Sequence, residues 1–507
     1  MTLSAVQHRI ATVSDLLCTL NLLVWDSRTM MPSGGAESRG RQIATITRLA
    51  RDELASDGML RDLEAAEAQA RSLPDDHDDR EALRQVRRAV DLHRRIPADL
   101  IERRAAVRAR ANAAWVEARE RNDYSIFEPW LAETVRNTRD YADALGWTEH
   151  PYDALLGLYE PGETLSSLRR LFATLEAGEA RILEGARRRP QDAAAILRRR
   201  FPVEKQREAA LTFSRRFGYD FDRGRLDSTV HPFEISFTRG DVRITTRYNE
   251  NFLSPALFGA FHETGHGLYE QNVDPAFTRT VFASDLVGLY AVGGTSFGAH
   301  ESQSRLWENH VGRSRRFWEL HFEELRALFP EALSDVDAGA FHRAVTTVNP
   351  GLIRTDADEL TYDLHIMLRV ELEAALTDGR LSVADAPEAW NAAVKARLGR
   401  NAPDPRQGVL QDIHWSSGMI GSFCTYTVGN VMAAQLFETA TRDAAVTDGL
   451  QAGDYAPLAG WLRERVWRHG RRRSREELLV NATGRGLDPA PYLRHLEARY
   501  GDAPAAA

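Results

Sequence analysis

The chain has 507 residues, of which 43% are hydrophobic and 27% are charged, as in an ordinary globular protein with a large core. Its 65 basic and 73 acidic residues give a net charge of −8, so no global positive field points to a nucleic-acid partner. Cys18 and Cys424 are the only cysteines, too few for a disulfide framework, and we expect a cytoplasmic protein.

The first predicted element is a buried helix over the apolar run of residues 16–25. The run is too short to cross a bilayer, and it carries Asn21 in its middle. It lacks the basic flank and the small-residue cleavage site that are typical of a signal peptide. We therefore expect no membrane partner.

Long amphipathic helices are predicted next, over residues 52–123, where Ala, Arg, Glu and Leu dominate the sequence. Breaks are expected near residues 72–76 and at Pro97, which together with Asp99 is typical of a helix start. Thr164 is the predicted N-cap of a later helix. The composition thus predicts helices packed as a hairpin or arch within a mostly α fold.

Residues 228–248 break the helical pattern. Polar and apolar residues alternate there around a turn at residues 239–241, which predicts a β-hairpin. The hairpin ends 14 residues before His262 (262 − 248), so we expect a small sheet beside that histidine. Arg243 and Arg247, four positions apart, are predicted to share a strand face and either to bind peptide or to pair with acids.

The stretch GAFHETGHGLYEQN, residues 259–272, contains a His-Glu-x-x-His motif. Residues four apart on a helix have Cβ atoms about 5–6 Å apart, so His262 and His266 can bind one ion. Glu263 is turned about 100° from His262 and would lie beside the metal, near a bound water. Zinc lowers the pKa of such a water to about 7, and a carboxylate can then act as its general base.

The competing interpretation is that the His-Glu-x-x-His motif arose by chance, because the chain has 15 histidines. Chance would not explain Gly265 and Gly267, which each cost about 1 kcal/mol inside a helix. Glycine is tolerated there where another backbone or a ligand comes close. We therefore favour a metal site.

A catalytic zinc ion normally has three protein ligands. Glu270 lies eight residues beyond His262, a helical rise of about 12 Å, which is too far for one ion. Asp285, His300 and Glu301 remain as candidates, and their spacing does not choose among them.

Motifs spread along the chain, HETGH, HESQSRLWENHVGRS, IRTDADELTYDLHI and GVLQDIHWSSGMIGSFCTYTVGN, together resemble the carboxypeptidase Taq family of zinc metallocarboxypeptidases. The likeness extends to VWDSRTMMP, to YDALLGLYEPG, and to HPF followed by DVRITTRY. It covers nearly the whole chain in the expected order, so it is far more specific than the histidine motif alone.

The resemblance implies a large helical metallopeptidase fold with a deep central groove, a small β-sheet next to the zinc site, and a homodimer. We accordingly predict a single peptidase domain over residues 1–507, with an N-terminal helical arch over about 1–150 and a catalytic core over about 220–440. The separation of 39 positions between His262 and Glu301 (301 − 262) is about two helical turns longer than we expect of the family. The extra residues put the shape of the groove in question.

The resemblance also assigns roles to residues of the motif. His262, His266 and Glu301 are implied to bind one zinc ion per chain, which other divalent metals such as Co²⁺ can replace. Glu263 is implied to be the general base. The third ligand is thus chosen by analogy.

A carboxypeptidase must bind a free C-terminal carboxylate, and the planar fork of arginine offers it two parallel hydrogen bonds. Arg354 is the candidate, because the family motif has an arginine at this position. Asp356, Asp358 and Glu359 are expected to orient it. The alternative is that Arg354 only pairs with these carboxylates.

Two further side chains are predicted to stabilise the oxyanion of the reaction, His414 and Tyr426, both neutral donors. His231 is predicted to hold the substrate backbone or to adjoin the zinc site, and Arg247 to contact peptide. For each of these four residues, a purely structural role is the competing interpretation.

The leading hypothesis is a zinc-dependent metallocarboxypeptidase that hydrolyses the C-terminal bond of peptides with broad specificity. One alternative is a dipeptidyl carboxypeptidase or oligopeptidase of similar helical groove fold. Another is a non-catalytic zinc-binding scaffold, which would have no need of Glu263.

Overall fold

The computed structural model describes residues 2–188 and 192–501. Helices account for 69% of the structure, and three strands form one small sheet within these residues. The predicted mostly α fold with a small β-sheet is therefore confirmed, whereas the deep central groove stays a prediction.

The elements of the first half of the chain are α1 (Thr2–Thr29), α2 (Ala36–Ala55), α3 (Asp57–Ala70), α4 (Asp78–Arg95), α5 (Ala98–Arg121), α6 (Glu128–Leu145), α7 (Pro151–Tyr159), α8 (Leu165–Ala186), α9 (Val203–Phe217), β1 (Gly224–Ser228), β2 (Glu234–Thr238) and β3 (Asp241–Thr246). Those of the second half are α10 (Ser254–Gln271), α11 (Phe297–Arg305), α12 (Arg315–Leu328), α13 (Pro330–Leu333), α14 (Ala338–Val345), α15 (Tyr362–Asp378), α16 (Ala386–Leu398), α17 (Cys424–Ala440), α18 (Ala444–Ala452), α19 (Ala456–Arg465), α20 (Arg475–Thr483) and α21 (Ala490–Tyr500). A π-helical segment, Leu306–Gly312, continues α11.

Local sequence signals set several of the helix ends. Helix α5 starts directly after Pro97 and has Asp99 in its first turn, as predicted. Helix α8 starts after Thr164, whose side chain accepts from the backbone N–H of Ser167 while the Ser167 side chain bonds the Thr164 backbone. These reciprocal bonds satisfy backbone donors that the first turn of a helix leaves unpaired.

The apolar run over residues 16–25 is helical, but the helix around it is much longer than the run. Over Leu3–Thr29 an 18-residue window reaches a mean hydropathy of 1.2 with 28% of the window buried, so length and composition alone would suffice to cross a membrane. The length of the helix therefore does not exclude a membrane span, although the core helix of a soluble protein passes the same test. Burial is one-sided, since Leu17 is buried whereas Leu22 is 43% exposed. The Nδ2 of Asn21 donates to the carbonyl oxygen of Ser236 in β2 at 2.8 Å.

The chain folds into two compact units, and each is assembled from three segments. Unit one comprises Met1–His93, Asp192–Thr346 and Gly429–Asp488, and unit two comprises Arg94–Gln191, Thr347–Val428 and Pro489–Ala507. The change of unit after His93 falls inside the predicted N-terminal arch. The division into an arch and a catalytic core within a single peptidase domain stays a prediction.

The sheet belongs to unit one and has the strand order β1-β3-β2. Strands β2 and β3 pair antiparallel, so the predicted hairpin is confirmed, and β1 adds a parallel partner that the sequence did not predict. Arg247 lies one residue beyond the end of β3. Only Arg243 lies within β3, and a shared face of Arg243 and Arg247 stays a prediction.

Helix α10 is held between the sheet and α11 in unit one. A Cβ on Gly265 would collide with the carbonyl oxygen of Gln303 and lie 2.6 Å from the Cα of Ser304. A Cβ on Gly267 would lie 2.6 Å from Cε2 of Tyr219. Both glycines thus mark the close approach that was predicted from their cost in a helix.

An aromatic core fixes the rotation of α10 within unit one. The ring of Phe261 lies edge-on to Phe213 and Phe217, with centroids 5.7 Å and 5.0 Å away. Successive helical residues are turned about 100° from each other. With Phe261 anchored in the core, the next side chain, His262, leaves the helix about 100° from it.

Candidate functional site

Two histidines of α10 and one glutamate of α11 converge in unit one. The Oε2 of Glu301 lies 3.6 Å from Nε2 of His262 and 3.3 Å from Nε2 of His266. One ligand atom from each residue lies within 4.8 Å of the other two. Two imidazoles and a carboxylate at this spacing form the donor set of a His₂Glu zinc site, so the residues fit a metal ion.

The other two candidates for third ligand are engaged elsewhere. The Nε2 of His300 lies 3.1 Å from Oε1 of Glu270, and the His300 ring stacks on His266 with centroids 4.4 Å apart. Asp285 accepts from the backbone N–H groups of Val287 and Gly288 through Oδ1. The structure thus brings Glu301, and not Asp285, to the two histidines.

Glu270 lies outside the cluster of His262, His266 and Glu301, as its helical rise predicts. Its buried carboxylate accepts from the backbone N–H of Gly293 at 2.9 Å and of Gly294 at 3.2 Å, and pairs with Arg239 at 2.9 Å. It therefore binds the chain segment that leads into α11.

Two residues that the sequence reasoning missed contact the candidate ligands. The Nδ1 of His262 lies 3.0 Å from Oε2 of Glu308, and Nε of Arg305 donates to Oε1 of Glu301 at 2.8 Å. Positions 301, 305 and 308 have the i, i+4, i+7 spacing of one helix face. That spacing in HESQSRLWE is the signal that could have found them.

Glu263 is 5% exposed and lies on α10 between the two histidines in sequence. Burial raises the pKa of its carboxyl to about 7, although the positive His262 and a backbone hydrogen bond from Glu234 favour the charged form. The sheet therefore contacts this carboxyl group directly through β2.

The two histidines differ in their electrostatic surroundings. Burial lowers the pKa of His262, but Glu301 and Glu308 outweigh burial and raise the value to about 10. Burial and the neighbouring His300 lower the pKa of His266 to about 3. Metal binding needs both imidazoles deprotonated, so it must displace a proton from His262.

Unit two holds Arg354, the residue predicted to bind the terminal carboxylate of the substrate. Arg354 is buried, and its Nε donates to Oδ1 of Asp412 at 2.9 Å while its Nη1 donates to the hydroxyl of Tyr362 at 3.0 Å. Asp412 also accepts from Nε of Arg369 at 2.7 Å.

Asp358 and Glu359, which were predicted to orient Arg354, bind other groups. Asp358 accepts from Thr361 and from the backbone of Asn349, and Glu359 pairs with Arg499 at 2.7 Å. The acceptor that fixes Arg354 is Asp412, which is 58 positions away and so was out of reach of local reasoning.

His414 and Tyr426 lie together with Arg354 in unit two. The Nε2 of His414 is 3.3 Å from the Tyr426 hydroxyl, and the Arg354 guanidinium carbon is 5.1 Å from the centroid of the Tyr426 ring. Burial and the cations Arg354 and Arg369 lower the pKa of His414 to about 3. The imidazole is therefore neutral at neutral pH.

The remaining predicted site residues lie around the sheet of unit one. His231 is exposed and precedes β2, and Arg247 is exposed beyond β3. Arg243 forms a bidentate pair with Asp241 and lies over the rings of Trp25 and Phe237. Arg243 therefore has a structural role in pairing and packing.

Comparisons with known proteins identify the family of the chain. A family model described as carboxypeptidase Taq (M32) metallopeptidase matches residues 5–500. Thermostable carboxypeptidase 1 of Thermus thermophilus is 41% identical over 492 residues, and carboxypeptidase 1 of Bacillus subtilis is 35% identical over 483 residues, each match covering 94% of both chains.

The structure of this chain is similar to the crystal structure of M32 carboxypeptidase from Deinococcus radiodurans R1. The comparison has a TM-score of 0.92 and 38% sequence identity, and it covers 99% of both chains. The family resemblance predicted from the motifs is therefore confirmed. The chain belongs to the carboxypeptidase Taq (M32) metallopeptidase family and is a metallocarboxypeptidase.

Proposed function

We propose that this enzyme uses one zinc ion, held by His262, His266 and Glu301, to hydrolyse the C-terminal bond of peptides with broad specificity. The observation that carries the proposal is the convergence of these three ligand atoms within 4.8 Å, beside a glutamate on the same helix. Family membership implies a divalent metal, and the His₂Glu donor set favours zinc, with Co²⁺ able to replace it. A cytoplasmic homodimer remains part of the proposal.

Glu263 is the general base of the proposed reaction. A bound zinc ion supplies Lewis-acid polarisation of the scissile carbonyl and makes a water molecule more acidic. The Glu263 carboxylate takes the proton of the attacking water and then delivers it to the leaving amine nitrogen. Burial, which raises its pKa to about 7, suits it to both steps near neutral pH.

Arg354 is the proposed receptor for the terminal carboxylate of the substrate. Asp412 and Tyr362 hold Nε and Nη1, and so set the plane of the guanidinium. The outer edge of the fork, Nη1 and Nη2, would meet the two carboxylate oxygens. Such a fork explains why an enzyme with generic zinc chemistry would cut only the last bond.

His414 and Tyr426 are the proposed donors to the oxyanion. Because burial keeps the imidazole of His414 neutral, its ring can donate from one nitrogen without a net charge. His231 and Arg247 are retained as proposed contacts to the peptide backbone, and both are exposed.

The test compares a peptide free acid with its C-terminal amide, using the wild type, Arg354→Ala and Arg354→Lys. Wild type should strongly prefer the acid and release single residues. With the free-acid peptide, Arg354→Ala should lose about 2–5 kcal/mol of transition-state binding. The reason is that the terminal carboxylate of the substrate would then be buried without its charged partner. That loss corresponds to roughly 30-fold to several-thousand-fold in kcat/KM.

Arg354→Lys keeps the charge but not the fork, so it should recover only part of this loss. Both variants should retain zinc, which is the control for an intact site. Release of dipeptides by the wild type would favour a dipeptidyl carboxypeptidase. An Arg354→Ala variant that still discriminates acid from amide would transfer the role to another residue, with Arg247 tested next.

A further inference from the structure

The two histidines of the candidate metal centre are oriented by different means. The Nδ1 of His262 lies 3.0 Å from Oε2 of Glu308. The Nδ1 of His266 is buried without a hydrogen-bond partner among the described residues, and its ring is stacked on His300 at an interplanar angle of 16°. Among the described residues, a carboxylate therefore faces the Nδ1 atom of only one of the two imidazoles, that of His262.

Glu308 is itself held rigidly. Its other oxygen, Oε1, accepts from Nη2 of Arg313 at 3.0 Å, and Arg313 is fixed in turn by the Val345 carbonyl oxygen at 2.8 Å. Nη1 of Arg305 lies 3.4 Å from the Oε2 that faces His262. The hydrogen bond with His262, followed by the charges of Arg305 and Arg313, lowers the pKa of Glu308 to about 2 against the opposing effect of burial.

Arg305 also joins Glu308 to the third ligand. Its Nε donates to Oε1 of Glu301 at 2.8 Å, which leaves Oε2 of Glu301 facing the histidines. One arginine thus sets the orientation of both carboxylates. Glu308 belongs to the π-helical segment Leu306–Gly312, a kind of irregularity that often occurs at functional sites.

We infer that Glu308 is a positioning residue of the metal centre, which accepts the Nδ1 proton of His262 and so directs the Nε2 lone pair of that ligand toward the metal. The neutral imidazole has one N–H and one lone pair, so the acceptor at Nδ1 decides which nitrogen binds metal. The inference rests on the proposed function for the identity of the ligands, and it adds a residue that acts through His262.

The test measures the zinc dissociation constant of the metal-free enzyme by competition with a chromophoric chelator. We expect Glu308→Ala to weaken zinc binding by ~10–100-fold, the usual effect of losing a hydrogen-bond partner of a metal-binding histidine. Glu308→Gln should weaken it less, because its amide oxygen still accepts from Nδ1 but carries no charge. At saturating zinc, kcat should recover in part while KM stays near that of the wild type.

The matched control is Glu373→Gln, which alters a buried glutamate of unit two that also accepts hydrogen bonds from side chains and backbone. It should bind zinc as tightly as the wild type. Circular dichroism of the metal-free variants separates weak metal binding from misfolding. If Glu308→Ala does not fold, the zinc affinity of Glu308→Gln alone tests the role of Glu308.

Wild-type zinc affinity in a folded Glu308→Gln, together with wild-type affinity in any folded Glu308→Ala, would overturn the inference and leave the proposed function intact. A wild-type enzyme that binds no zinc tightly would instead overturn the proposed function. The two failures are therefore distinguishable.

Discussion

Two carboxyl groups next to the same histidine are driven in opposite directions by their surroundings. Burial opposes the charge on both, but His262 and Arg305 outweigh burial at Glu301 and hold its pKa well below the usual range. At Glu263 burial prevails and the pKa rises to about 7. A carboxylate that stays charged suits the proposed metal ligand, and a carboxyl group with a pKa near neutrality suits the proposed general base.

The first prediction follows for Glu263. Glu263→Gln keeps the shape of the side chain but cannot take a proton, so kcat should fall by ~10²–10⁴-fold while zinc is retained. Metal content by atomic absorption and steady-state kinetics measure the two quantities. Turnover near the wild-type rate would remove Glu263 from the mechanism.

The sequence could predict those site residues whose partners lie close by along the chain. His262, Glu263 and His266 follow from helical spacing, and Glu301 required the family resemblance. Asp412 could not be predicted, because its partner Arg354 lies 58 positions away and only the folded chain brings the two together.

At the scale of single elements, α10 has a position that cannot carry a side chain. Gly265 lies where the backbone of α11 crosses, and any side chain would meet Gln303 and Ser304. Because backbone cannot rotate out of the way, the collision would push α11, with Glu301, away from the histidines.

Gly265→Ala should therefore destabilise the protein by about 1–3 kcal/mol, despite the gain of about 1 kcal/mol in helix propensity. Zinc affinity should fall together with the unfolding temperature. Gly259→Ala in the same helix is the control, since its Cβ would meet side-chain atoms alone, Oγ1 of Thr246 at 3.1 Å and Cγ of Pro232 at 3.7 Å, and no backbone. Equal unfolding temperatures for the two variants would contradict the packing argument.

In the sheet, the hairpin could be predicted from the sequence, but the third strand could not. The hairpin of β2 and β3 joins neighbours in the chain, and its alternation and turn were sufficient to find it. Strand β1, with the sequence GRLDS, has one apolar residue in five and pairs parallel to a strand that is not its neighbour in sequence. Such long-range pairing leaves little local pattern.

At the scale of the whole molecule, buried acids make stability depend on pH. Glu373 in unit two accepts from the hydroxyl of Tyr152 at 2.6 Å and from the indole of Trp415 at 2.9 Å. Burial nevertheless raises its pKa from 4.5 to about 7. Between these values the folded state binds a proton more tightly than the unfolded chain, so this stabilisation is complete below pH 4.5 and lost as the pH rises through about 7.

Replacing Glu373 should remove this pH dependence. A shift of this size corresponds to a contribution on the order of 3 kcal/mol, from 1.36 kcal/mol per pKa unit. The unfolding temperature of the wild type minus that of Glu373→Gln should therefore decrease from pH 5 to pH 8, as measured by calorimetry. A difference that stays constant or grows over this range would contradict the assignment.

The interleaving of the two units has a consequence for synthesis on the ribosome. Gly429 opens the last segment of unit one, and a Cβ there would lie 2.6 Å from Cγ of Glu301, so α17 packs directly on this side chain. Gly429 is translated 128 residues after Glu301 (429 − 301), a delay of roughly 6–26 s at typical rates of elongation. Throughout that interval the nascent chain carries His262, His266 and Glu301 without the helix that covers Glu301, and the surroundings of the metal centre are completed only as the last segment emerges.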